Sequence, residues 1–223
     1  FRGKTNMGLR GDAIVQFDWS VGEIMKTLKK LGIDDNTLVI LSSDNGPIIN
    51  DGYQDRAEEL LNGHSPSGEL RGHKYGAFEG GTRVPVIVRW PGGAEKNEVS
   101  DVLMSQVDWM ASLGKLIDAR MPEKSAPDSF DRLGNLLGKD ATDRPWIVEC
   151  AANRTLSLRT KDWKYIEPSD GKPVIPWGAN VETGYLPIPQ LYDLRKGREE
   201  QNLSVEYPEK VYEMETLLRK VRK

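Results

Sequence analysis

Residues 38 to 47, LVILSSDNGP, constrain the fold more than any other stretch of the chain. Leu38, Val39, Ile40 and Leu41 make a buried run of strand length, Ser42 and Ser43 end it, and Asp44-Asn45 stand at its tip before Gly46-Pro47 turns the chain away. Open α/β sheets build their sites where strands end, so an apolar run that stops at an acid, an amide and a turn marks a candidate site. The same residues also fit a plain loop in which Asp44 and Asn45 cap the turn through side-chain to backbone hydrogen bonds. Taken alone, the stretch leaves both readings open.

Its surroundings support an α/β arrangement. Ile14, Phe17, Val21, Ile24, Leu28 and Leu31 recur every three or four residues, which predicts a long amphipathic helix with one core-facing stripe. Gly32 fits the position just past its end. Residues 48–73 read as a long loop, with a short helix around 56–61 as a variant, and a connection of that length is unusual unless it lines a site. Val84 to Trp90 reads as a second strand, closed by Pro91-Gly92. Ser100 to Ile117 reads as a helix with Val102, Val107, Met110, Leu113 and Ile117 as core positions. Residues 121–145 are rich in Pro, Gly, Lys and Asp, which divides the chain into 1–120, a linker 121–145, and 146–223. In the last part WIVECA, LSLRT, WKYIE and QLYDL are short strand-like runs, with an irregular stretch from 168 to 189. Pro208 opens a final helix with Val211, Met214, Leu218 and Val221 on one face, giving a small antiparallel sheet plus a helix.

Composition narrows the function classes. The 223 residues carry a formal net charge of −3 and no basic stripe, so the electrostatic footprint of a nucleic-acid binder is missing. No apolar run approaches the roughly 20 residues of a membrane-spanning helix. Cys150 is the single cysteine, which rules out an internal disulfide; it reads as a buried strand residue. The chain begins at Phe1 rather than Met, so it is read as a processed product, a domain, or part of something longer. An export signal would leave no trace in such a sequence, and the compartment is not read.

Few residues offer chemistry. Asp44 and Asn45 present a carboxylate and an amide oxygen, donors suited to a hard cation, but Ca²⁺ takes about six to eight oxygens. Zinc fits poorly, because His64, His73 and Cys150 are the only imidazole and thiol ligands. Lys74, between Gly72 and a Gly-rich segment, is a point charge suited to an oxyanion such as sulfate or phosphate, or else a solvated surface lysine. Glu79 and Arg83 read as a structural ion pair in a Gly turn. His64, in GHSPSG, is either a loop histidine or a substrate contact.

LVILSSDNGP followed by LRGHKYGAFEGGTRVPVIVRWPG resembles the sulfatase family of the alkaline-phosphatase-like superfamily. The segment GDAIVQFDWSVGEIMKTLKKLGIDDNTLVI is similar to the family's helix before this strand, and DSFDRLGNLLGK, LSLRTKDWKYI and LYDLRKGREEQNLS are similar to later parts of the family, all in the same order. The resemblance implies the C-terminal part of an alkaline-phosphatase-like mixed sheet flanked by helices, followed by the small antiparallel sheet. It implies that Asp44 and Asn45 ligate one Ca²⁺ and that Lys74 contacts the substrate sulfate; a substrate-binding role for His64 is read from its place in the loop and not from the resemblance. The substrate class would be a sulfated small molecule or carbohydrate. The family's formylglycine nucleophile, made from Cys or Ser in a C-x-P/A-S-R context, has no counterpart here, and CAANR at Cys150 lacks the Ser before Arg. The expectation is therefore a portion of a sulfatase whose missing N-terminal part completes the site. By itself the chain would be inactive, and it would self-associate through faces left uncovered. A phosphatase or phosphodiesterase of the same superfamily, and a non-catalytic sulfatase-derived fragment, are the alternatives.

Overall fold

The computed structural model describes residues 1–122 and 124–222, with only the backbone at Gly178. It is a mixed α/β structure made of two strand pairs and a four-stranded sheet, with helices set around them. Helix α1 (Gly8–Leu31) leads through a short 3-10 turn to β1 (Val39–Ser42). The one-turn helix α2 (Glu79–Thr82) precedes β2 (Val86–Arg89), which pairs antiparallel with β1, Val39 opposite Arg89 and Ser42 opposite Val86. Helices α3 (Trp109–Leu116) and α4 (Leu133–Leu136) follow.

The C-terminal sheet is antiparallel in the order β3 (Ile147–Cys150), β4 (Leu156–Arg159), β5 (Trp163–Ile166) and β8 (Gln190–Asp193). Between β5 and β8 a small hairpin, β6 (Val174–Ile175) and β7 (Val181–Glu182), carries a single helical turn, α5 (Trp177–Asn180). Helix α6 (Pro208–Val221) ends the chain, with Pro208 in its first turn as the sequence predicts.

Strand alternation decides what each sheet face holds. Leu158, Tyr165 and Leu191 point one way and close a core with Met214 and Leu218 of α6. Each such side chain contributes about 1.5–3 kcal/mol by leaving water. The opposite face receives Phe78, which packs with Ile166, Tyr185 and Tyr192. That face also buries Lys164, Ser157 and Gln190. The sheet is therefore covered on both sides, with an apolar face under α6 and a mixed, charged face under residues 77–82.

Several expectations change at this level. The predicted core stripe of α1 lies open: Ile14 is 61% exposed, and Phe17, Ile24 and Leu31 are exposed as well. The helix touches the 3-10 turn that follows it and, near its start, the loop over 48–60, and Gly32 caps it with φ +67°. Strand β1 is half-buried rather than buried, because it has one partner strand. Residues 100–105 are not helical; a 3-10 turn at Gln106–Asp108 starts α3, and Val107, Met110 and Ile117 face outward while Asp108 and Ser112 are buried. Cys150 ends β3 exposed, since the strand's last residue lies beyond the covered part of the sheet. Residues 48–73 form turns without a helix. Arg144, within 121–145, is buried in an ion pair with Asp108 of the 3-10 turn before α3, which leaves the division of the chain as it was read.

Candidate functional site

The strand tip is held in place before any side chain acts. Ser42 Oγ donates to Pro85 O at 2.9 Å, and Gln106 Nε2 donates to Ser42 Oγ at 2.9 Å and to Ser43 O at 2.6 Å. Beyond it, Gly46 N–H donates to Gly81 O at 2.9 Å and Lys74 N–H to Pro47 O at 2.8 Å. A side chain on Gly46 would overlap the Gly80 carbonyl, and one on Gly80 would overlap the Gly72 carbonyl. Both glycines are required by close backbone approach. Three segments thus meet at α2: the Asp44-Asn45 turn, the Lys74 segment, and the sheet that underlies them.

Asp44 is exposed and Asn45 half-buried at the wall of a cleft of about 1740 Å³. Asp44 Oδ1 accepts from the Asn45 backbone at 3.0 Å, and Asn45 Nδ2 donates to Gly46 O at 2.9 Å. The turn-cap contacts expected of a plain loop are present, and they leave Asp44 Oδ2 and Asn45 Oδ1 as available oxygens. Two hard oxygen donors suit Ca²⁺ in kind. Among the described residues there is no group of three or more His, Cys, Asp and Glu side chains that could hold a metal, and these two donors alone do not make a metal site.

Lys74 lines the same cleft, as do His64 and Asp51. Lys74 Nζ lies 3.1 Å from Asp51 Oδ2, and Tyr75 Oη donates to Asp51 Oδ1 at 2.7 Å. The Tyr75 hydroxyl and the Lys74 ammonium hold the Asp51 carboxyl below its usual range, while the hydrogen bond to Asp51 raises Lys74. Lys74 is therefore a cation at neutral pH, though one already engaged by a carboxylate. Asp51 sits in a loop tied to α1, where Arg10 pairs with Asp55 at 2.8 Å and donates to Ile48 O at 2.9 Å. His64 is exposed, with its backbone N–H donating to Leu61 O at 2.9 Å.

The expected Glu79–Arg83 pair does not form; Arg83 is exposed and Glu79 turns inward to the sheet. Glu79 Oε1 lies 3.1 Å from Nζ of Lys164, which is 0% exposed, and Glu79 Oε2 lies 3.4 Å from Arg159 Nε. Lys164 also pairs with Glu149 at 2.8 Å. Glu199 Oε2 accepts from the Glu79 backbone at 2.8 Å, while its Oε1 is buried without a hydrogen-bond partner. Burial, reinforced by the Glu79 and Glu149 charges and opposed by Lys164, pushes the Glu199 carboxyl up to about 7. Burial works against the charge on Lys164, but its three carboxylate neighbours outweigh it and raise the group. This cluster fixes α2, and with it both glycines, onto the C-terminal sheet. Its members lie far apart in the chain, and only the alternation of WKYI hints that Lys164 and Trp163 face opposite sides.

The two-stranded β1–β2 unit, its polar tip and the Gly-rich segment beside it are those of a sulfatase: the sulfatase family model matches residues 3–119, and the chain belongs to that family. It is 50% identical over all 223 residues to the N-acetylgalactosamine-6-O-sulfatase of Bacteroides thetaiotaomicron, spanning 43% of that protein. It is 37% identical over 142 residues to steryl-sulfatase of Rattus norvegicus, covering 62% of this chain and 23% of that one. A solved structure from work on glycosaminoglycan metabolism by B. thetaiotaomicron superposes with a TM-score of 0.96 at 50% identity, over 99% of this chain and 46% of that one. The chain thus spans less than half the length of these relatives.

Proposed function

We propose that this chain works within a sulfatase that hydrolyses sulfate esters of carbohydrates, where it supplies part of the metal site and a sulfate-binding cation. The observation that carries this reading is the joint at α2, which holds Asp44 and Asn45 and Lys74 on one cleft through backbone bonds of 2.8–2.9 Å. The relative named for N-acetylgalactosamine 6-O-sulfate supports an amino-sugar sulfate as substrate. The division into 1–120, a connection over 121–145 and a sheet subdomain over 146–223 is part of the same proposal.

In this reading Asp44 and Asn45 hold one Ca²⁺, which when bound supplies fixed positive charge beside the sulfate oxygens. Lys74 neutralises the sulfate and takes up the negative charge that grows on the leaving oxygen as the ester bond breaks. Asp51 keeps the ammonium aimed into the cleft and gives it up, at least in part, when sulfate enters. His64 lines the same cleft and contacts the rest of the substrate. The nucleophile, a formylglycine by family resemblance, comes from outside these residues.

Replacing Lys74 with Ala in the catalytically complete protein is expected to lower turnover by about 10² to 10³, the cost of one preorganised charge contact. Turnover near the wild-type value would remove Lys74 from the site. Assay of the 223-residue chain alone is expected to give none. Metal analysis of the complete protein is expected to find one calcium; two zinc or manganese ions would point to phosphoryl transfer instead.

A further inference from the structure

Tyr75 follows Lys74 with φ +80°, a left-handed backbone that a bulky side chain adopts only when its surroundings impose it. The surroundings do so: its carbonyl accepts from Tyr185 Oη at 2.7 Å and from the Ala152 backbone at 3.2 Å. Glycine would take this conformation freely, so the presence of tyrosine points to a use for the ring. That ring lies 5.2 Å from Lys74 Nζ on one side and meets Trp177 at 5.0 Å, at 69°, on another. Trp177 arrives from α5, in the hairpin between β6 and β7, and is 55% exposed. The hairpin is fastened to the Lys74 segment by Ala77 N–H to Thr183 O at 2.7 Å and by the Arg71–Glu182 ion pair at 2.9 Å.

An exposed indole one ring away from the Lys74 ammonium and the Asp51 carboxylate matches the chemistry of a sulfated sugar. A pyranose has an apolar C–H face for an aromatic ring and a hydroxyl edge for a carboxylate such as Asp51. We propose that Tyr75 and Trp177 form an aromatic wall that receives the sugar ring carrying the sulfate, while Lys74 takes the sulfate itself. This rests on the sulfatase reading and adds to it how the sugar is held.

Calorimetric titration of the complete enzyme with N-acetylgalactosamine and, separately, with inorganic sulfate reads the two halves of the ligand apart. Trp177→Ala is expected to weaken the sugar about tenfold, the size of one well-formed aromatic contact. Sulfate binding is expected to stay within about twofold, since the two contacts are separate. Trp177→Phe should restore most of the sugar affinity. Equal losses for both ligands, loss of neither, or no sugar binding by the unaltered enzyme would overturn the wall. Absence of turnover on any sulfate ester would overturn the sulfatase reading instead, and the sugar titration would still decide the wall.

Discussion

The two ends of the chain handle apolar surface in opposite ways. In the C-terminal sheet Leu158, Ile166 and Leu191 are fully buried between α6 and the Phe78 segment. In the N-terminal part Ile14 of α1, Ile87 of β2 and Ile117 after α3 are all more than half exposed. The first region closes its own core; the second leaves much of its apolar surface exposed. The difference shows where the site's rigidity originates. Asp44 and Asn45 sit in the open region, yet the joint that places them beside Lys74 is anchored in the closed one through Glu79 and Lys164.

Breaking that anchor tests the comparison most severely. Lys164→Met removes the buried cation shared by Glu79 and Glu149, leaving Glu79 only the longer contact with Arg159, and about 3–5 kcal/mol of stability is expected to go, read by chemical denaturation. A loss below about 1 kcal/mol would mean the closed region does not depend on the cluster.

A gentler probe is the proton on Glu199, whose folded carboxyl sits at about 7 against an ordinary 4.5. Because the folded state binds this proton more tightly, its contribution is full below 4.5, falls as pH rises, and is gone above about 7. Lys164, Glu79, Glu149, Arg71 and Tyr192 all act on this group, so the net change expected is about 1–2 kcal/mol. Glu199→Gln should flatten that part of the melting-temperature profile; an unchanged slope would place the proton elsewhere.

The smallest stability effect belongs to the open region. Ile87→Lys should alter stability by no more than about 0.5 kcal/mol, as for other exposed positions. It should nevertheless shift the chain toward monomer in sedimentation, because exposed apolar patches drive association. A wild-type chain that sediments as a clean monomer would break this half of the comparison.

The contrast also explains what the sequence could and could not reveal. Periodicity located α1, the strand over 86–89 and α6, since each is a local property of a few turns or residues. It could not say whether a stripe is covered, and so Ile14, Met110 and Ile117 were placed in a core they do not join. Lys164 shows the reverse: a lysine alternating with Trp163 and Tyr165 looks solvent-facing, but the second sheet face is covered too. At the site, Asp44, Asn45 and Lys74 stood out through the turn and glycine residues beside them. Asp51 as the partner of Lys74, and Trp177 more than a hundred residues downstream, were set by tertiary contacts that leave no local pattern.

The bare contact of Gly46 with the Gly80 carbonyl has a consequence for how such a protein can diversify. With no side chain between them, the turn carrying Asp44 and Asn45 and the segment carrying Lys74 have no slack to drift apart. Sequence variation should therefore be tolerated more readily around this joint, in the loop bearing Asp51 and His64 and the hairpin bearing Trp177, than within it.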